Sequence, residues 1–179
     1  MSQIVKSSVL AACFATVALT SARAQTDDLA ARVPVCENRD GHASASDRVA
    51  ACSAILGGAP LAPAAEAMAH VNRAWAYSLE GRMGEARADY DIALTLNPGS
   101  YVIYNERALF NLRVGRLDAA LSDYDTALKI APQTAYSLYG RGLTLLRKGD
   151  TARGQDDLAA ARRLDGGVDG TFRALGFGP

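Results

Sequence analysis

The sequence predicts an all-α protein, a solenoid of two-helix repeats, on three observations. Shifted by 34 residues, the chain matches itself without a gap over three blocks: Ala67–Ser100, Tyr101–Thr134 and Ala135–Val168. Within each block, apolar residues recur at helical spacing on both sides of a central glycine. The 179-residue chain is 49% apolar but only 7% aromatic, a composition that fills a core with small side chains and argues against wholesale disorder.

The first 24 residues read as a signal peptide. Lys6 supplies a positive start, Ser7–Thr20 is apolar and small, and Ala22-Arg23-Ala24 has the small-x-small cleavage pattern, which makes Gln25 the expected new N-terminus. The apolar run is about 14 residues, short of the ~20 that a spanning helix needs. Leu10-Ala11-Ala12-Cys13 offers lipidation at Cys13 as the alternative, with an apolar stretch before it that is short for export. The expectation is export to the periplasm or beyond, with no transmembrane anchor after cleavage. Lys6 and Arg23 leave with the leader, so 17 basic residues then face 19 acidic ones. That balance speaks against nucleic acid as a partner and against a polybasic membrane patch.

Two cysteines remain, Cys36 and Cys52, sixteen positions apart. In an oxidising compartment the economical reading is a disulfide, worth about 3 kcal/mol for a loop this short. Zinc is the alternative, although His42 is the only histidine between the two and a structural site needs four ligands. Asp47–Leu56 then reads as a helix like the second of a repeat. The following Gly57–Pro63 breaks it with a loop about four residues longer than the repeat period allows.

The three blocks share specific columns. Arg73, Arg107 and Arg141 align, each followed by a tiny residue: Ala74, Ala108 and Gly142. Gly81, Gly115 and Gly149 mark the turn, Asp89, Asp123 and Asp157 follow, then Ala93, Ala127 and Ala161, and Pro98 and Pro132 close two blocks. In the second block Val102–Val114 is apolar on nearly every side, so that helix must be covered on more than one face. Leu117, Ala120, Leu121, Tyr124 and Leu128 form the narrower stripe of a helix buried on one side. The charged columns lie sixteen positions apart, on two antiparallel helices, and predict Arg–Asp pairs within or between repeats that fix register. Gly154, where alanine is usual, weakens its helix by about 1 kcal/mol, so Gly154→Ala is expected to stabilise.

At these residues the blocks resemble the tetratricopeptide repeat. Ala74, Tyr77, Gly81, Ala86, Tyr90, Ala93 and Pro98 stand on its signature columns. The second block keeps Ala108, Ala120, Tyr124, Ala127 and Pro132 but has Asn111 for the preferred aromatic; the third departs most, with Leu145, Gly154, Leu158 and Gly166. The resemblance implies a right-handed helical solenoid and, with the leader and cysteines, a small exported bacterial protein. It divides the chain into a signal peptide (1–24), an N-terminal cap with a half-repeat helix (25–63), three repeats (64–168) and a C-terminal cap or tail (169–179). The disulfide would tie a loop, Val33–Gly41, onto the Cys52 helix and seal that end of the solenoid.

The resemblance also implies a function: a non-catalytic scaffold for another protein or peptide segment, held on the concave face lined by the first helices. That projection gives a groove of Met68, Val71, Trp75, Val102, Asn105, Leu109, Tyr136, Tyr139 and Leu143, extended by Ser78, Leu112 and Leu146. It is apolar and aromatic, suited to a peptide with hydrophobic anchors. The alternative is an enzyme, or an enzyme subunit, acting on envelope polymers, for which the compartment is the sole support. No nucleophile, phosphate-loop, metal or cofactor motif is present, and His70, in the column of Tyr104 and Leu138, reads as a packed helix residue. Last, three glycines in Gly166–Gly170 break the helix, and Phe172, Leu175 and Phe177 are too apolar for water. They are expected to fold back on the third repeat as a cap; a docking handle or a plug in the groove are the alternatives.

Overall fold

The computed structural model describes residues 28–178, all of whose regular structure is helical. The signal-peptide cleavage site and Cys13 lie outside the described residues. Helix α1 covers residues 28–37. It is followed by α2 (Ala45–Leu56), α3 (Pro63–Leu79), α4 (Met83–Leu96), α5 (Tyr101–Arg113), α6 (Leu117–Ile130), α7 (Ala135–Arg147), α8 (Thr151–Leu164) and the short α9 (Val168–Ala174). None of these is long and apolar enough to cross a membrane.

Helices α3/α4, α5/α6 and α7/α8 are antiparallel hairpins that stack in order, so that α5 packs on α3 and α7 on α5. The glycine column turns each hairpin: Gly81, Gly115 and Gly149 have φ of +77°, +75° and +87°, a left-handed backbone that side chains with a Cβ resist. Pro63 starts α3, where its missing N–H costs nothing. Ser44 caps α2 by accepting the Asp47 N–H at 3.1 Å.

The charged columns pair as a continuous ladder. Arg107 donates from Nε and Nη2 to both oxygens of Asp123, at 3.0 and 2.7 Å, and from Nη1 to Asp91 of the preceding hairpin at 2.8 Å. Arg141 repeats this with Asp157 (2.7 and 2.9 Å) and Asp125 (2.8 Å). Arg73 does the same with Asp89 (2.7 and 2.8 Å), and its Nη1 reaches Ser53 of α2 at 3.1 Å. Ser53 thus takes the place of Asp91 and Asp125, and α2 stacks as the second helix of an incomplete repeat. His70 is buried against Asp89, Nδ1 to Oδ1 2.8 Å. Asn111, the residue that departs from the aromatic preference, donates to Asp123 at 3.1 Å.

Helix α1 corrects one expectation. Cys36 lies in the last turn of a helix, not in a loop. The sequence Pro34-Val35-Cys36-Glu37-Asn38 hides this, because proline reads as a breaker. The helix ends four residues later on Asn38, at φ +53°, with Arg39 N–H closing onto the Pro34 carbonyl at 3.1 Å. The Cys36–Cys52 disulfide joins α1 to α2 with Cα atoms 5.0 Å apart. Ala51, Ile55 and Ala69 are buried around it, and Val33, Val35, Leu56 and Leu61 pack against that cluster.

A second correction concerns Gly154. A Cβ at Gly154 would lie 2.9 Å from the Gly142 carbonyl oxygen, and a Cβ at Gly142 would lie 2.9 Å from that of Gly154. The equivalent residues Ala74/Ala86 and Ala108/Ala120 are fully buried alanines, so α7 and α8 approach closely where the other pairs leave room for a methyl group. The obstacle is backbone, which cannot rotate away. Gly154→Ala is therefore expected to lower stability, because the roughly 1–3 kcal/mol cost of overpacking against backbone outweighs the gain of up to about 1 kcal/mol from helix propensity; a melting temperature at or above wild type would refute the close approach. For the disulfide, non-reducing mass spectrometry should recover the Cys36–Cys52 linked peptide. On reduction, amide exchange should rise first in α1 and α2 while α5–α8 stay protected.

Candidate functional site

The first helices α3, α5 and α7 lie side by side and present one concave face. Its open part is a cavity of about 350 Å³ lined by Arg48 from α2, Met68, Val71, Asn72 and Trp75 from α3, Val102 and Glu106 from α5, Tyr136 from α7, and Leu175. A second, largely apolar cavity of about 360 Å³ between α1, α2 and α3 shares Met68 and Asn72 with it. The two therefore meet along α3 as one depression.

Of the projected groove residues, Met68, Val71, Trp75, Val102 and Tyr136 come together at this cavity. Leu109, Tyr139 and Leu143 lie instead in a core cluster with Val168, Phe172 and Phe177. Asn105 is buried and accepts a hydrogen bond from the Ser137 hydroxyl at 2.7 Å, tying α5 to α7. Ser78 is buried and donates to the Trp75 carbonyl at 2.7 Å. Leu112 is fully buried, and Leu146 packs against the same cluster as Leu109.

The reason for this division is the tail. Helix α9 packs on α7 and α8, and Phe172 inserts between Tyr136 and Tyr139 with ring centroids 4.8 and 4.6 Å away. Phe177 stands edge-on to Phe172 at 6.5 Å. The Arg113 guanidinium lies over both Trp75 (4.6 Å) and Phe177 (5.5 Å) and donates to the Leu175 carbonyl at 3.1 Å. The segment is at once a cap on the third repeat and a filler of the C-terminal half of the concave face.

Three polar residues of the cavity, Arg48, Asn72 and Glu106, fall outside the groove projected from sequence. The signal for two of them was a column: Asn72, Glu106 and Gly140 align, polar on a helix that is otherwise apolar. Gly140 explains the third member, since a Cβ there would lie 2.2 Å from the Tyr124 ring. Burial pushes the Glu106 carboxyl up to about 7, with the Tyr136 hydroxyl lowering it in part. Tyr136 is itself raised, by burial first and then by the Glu106 charge. The hydroxyls of Tyr90 and Tyr124 are buried with no hydrogen-bond partner among the described residues, and both feel the Glu106 charge after the larger effect of burial. Among the described residues no cluster of three His, Cys, Asp or Glu could hold a metal ion.

Residues 67–100 and 101–134 each match the family model of the tetratricopeptide repeat, and the Arg–Asp ladder carries the same hairpin through 135–168. The chain carries tetratricopeptide repeats. Such repeats are scaffolds for protein–protein interaction. Its fold is that of the crystal structure of MamA, with a TM-score of 0.57 and 16% identity over 74% of this chain and 72% of that one. A tetratricopeptide repeat protein from Parabacteroides merdae ATCC 43184 is similar at a TM-score of 0.59 and 19% identity, over 83% of this chain and 66% of that one, just under two thirds of its length. At these identities the likeness is one of fold. No curated protein matches the tetratricopeptide chain in sequence.

The tail is clipped by Asp169, which accepts from both Arg162 Nε (2.8 Å) and Nη2 (2.7 Å) and from the Tyr139 hydroxyl (2.7 Å). The bonds from Arg162, then Tyr139, lower its carboxyl from 3.8 to about 2. A carboxyl lowered on folding stabilises the native state above its unfolded value and stops doing so as pH falls through the folded one. Wild type should therefore melt above Asp169→Asn at neutral pH, with the difference closing between about pH 4 and pH 2. Equal melting temperatures at pH 7 would show that the clip does not hold the tail.

Proposed function

We propose that this protein is a non-catalytic scaffold of the bacterial envelope that grips a segment of a partner protein in the open half of its concave groove. The observation that supports this reading most is the occupied half. There the chain's own Phe172–Phe177 segment is held on α7 by aromatic contacts and on α5 by one hydrogen bond from the Arg113 guanidinium to the Leu175 carbonyl, which is the chemistry by which a groove takes an apolar peptide. The open half continues that surface with Met68, Val71, Trp75 and Val102. The leader pattern supports the location.

Two measurements test it. Panning a random peptide library on the mature protein should enrich sequences with two apolar or aromatic anchors. Their affinity should fall at least tenfold in Trp75→Ala and in Val102→Asp, with melting curves confirming that both variants are folded. Enriched peptides that bind these variants as they bind wild type would place the interaction elsewhere. Osmotic-shock release followed by N-terminal sequencing should give a chain beginning at Gln25, and retention in the cytoplasm with residues 1–24 intact would refute export.

A further inference from the structure

Two side chains of opposite charge face one cavity without meeting. Arg48 is 6% exposed, and its one hydrogen bond among the described residues runs from Nε to the Cys36 carbonyl at 3.4 Å. Among the described residues no carboxylate pairs with its guanidinium, whose pKa burial lowers. Glu106 lines the same cavity from α5, with no cation paired to it among the described residues, and burial pushes its carboxyl up to about 7. The Tyr136 hydroxyl is its one neutral hydrogen-bonding neighbour, and among the described residues the buried hydroxyls of Tyr90 and Tyr124 have no hydrogen-bond partner. A guanidinium and a carboxyl kept desolvated, each with a neutral neighbour but no opposite charge, are expensive to maintain, whereas ligand sites are concave, mostly apolar and carry a few such groups.

We propose that this cavity binds a small zwitterion, a free amino acid or dipeptide with an apolar side chain, its carboxylate on Arg48 and its ammonium on Glu106. One ligand then pairs both charges at once, and a bidentate guanidinium–carboxylate contact supplies direction. Met68, Trp75 and Val102 form the apolar walls for the side chain, and the volume of about 350 Å³ suits a ligand of this size. Asn72, on the same wall, adds an amide that can bond to either end. The site goes beyond the scaffold reading and does not rest on it.

Calorimetric titration of the mature, oxidised protein tests the assignment with four probes: leucine, leucyl-leucine, N-acetyl-leucine and leucinamide. Leucine or leucyl-leucine should bind, and blocking either terminus of leucine should weaken binding at least tenfold. Glu106→Gln should lose at least tenfold for the zwitterions while leaving N-acetyl-leucine unchanged. Arg48→Gln should show the mirror pattern with leucinamide, and if that variant fails to fold, Glu106→Gln decides alone. The assignment is overturned if neither zwitterion binds wild type, if the blocked forms bind as tightly, or if Glu106→Gln binds leucine as wild type does. Selected peptides that bind while all four probes do not would overturn this site and leave the scaffold reading standing.

Discussion

Arg107 lies between two hairpins and spends its planar donor edge on both. Two of its nitrogens hold Asp123 of its own hairpin and the third holds Asp91 of the one before. A guanidinium is flat and its donors are fixed in a fork, so it accepts both carboxylates only when the two hairpins stand in one relative position. Each Arg–Asp unit is partly buried, and its net contribution to stability is modest because desolvation offsets attraction. What it contributes is register. A slip of one helical turn would leave buried Asp89 or Asp123 without a cation, and that penalty is large.

Register alone does not produce a solenoid; it must be combined with an approach distance, and the tiny columns set that. Ala74, Ala86, Ala108 and Ala120 lie fully buried where helices cross, and the glycine pair Gly142/Gly154 brings α7 and α8 closer still. Tyr90 and Tyr124 fill the space between hairpins, fully buried. Where Tyr124 meets the next helix, Gly140 makes room; in the preceding unit Glu106 holds the equivalent position and turns a carboxyl toward the concave face. The polar cavity thus follows from a packing solution that differs between two adjacent repeats.

Stacked units leave an uncovered face at each end, and this chain treats the two ends differently. At the N-terminal end an incomplete repeat, α2, is covered by α1 and locked by Cys36–Cys52. At the C-terminal end Val168, Phe172 and Phe177 are buried against the third hairpin. The second solution reaches round the end into the concave side, because Phe177 and Leu175 extend as far as Arg113 and Trp75. The open cavity is what remains between the two caps, with Arg48 at one rim and Leu175 at the other.

Much of this was legible in the residues. The 34-residue period, the left-handed glycines, the tiny columns, the Arg–Asp partners and the Cys36–Cys52 bond all rest on local or strictly periodic constraints, which a sequence records by repeating them. So did half of the concave face: Met68, Val71, Trp75, Val102 and Tyr136 share it because they recur on first helices. What did not repeat was decided by tertiary structure. Pro34 sits inside a helix because Asn38 and the disulfide hold its end. Gly154 is a contact and not a defect because Gly142 lies opposite, which no helix propensity can reveal. Leu109, Tyr139 and Leu143 lie under a tail whose path depends on Arg113 and Asp169. Arg48 and Glu106, 58 positions apart on helices of different repeats, face one cavity only once the hairpins are stacked, because their proximity is a property of the superhelix and of no segment of the chain.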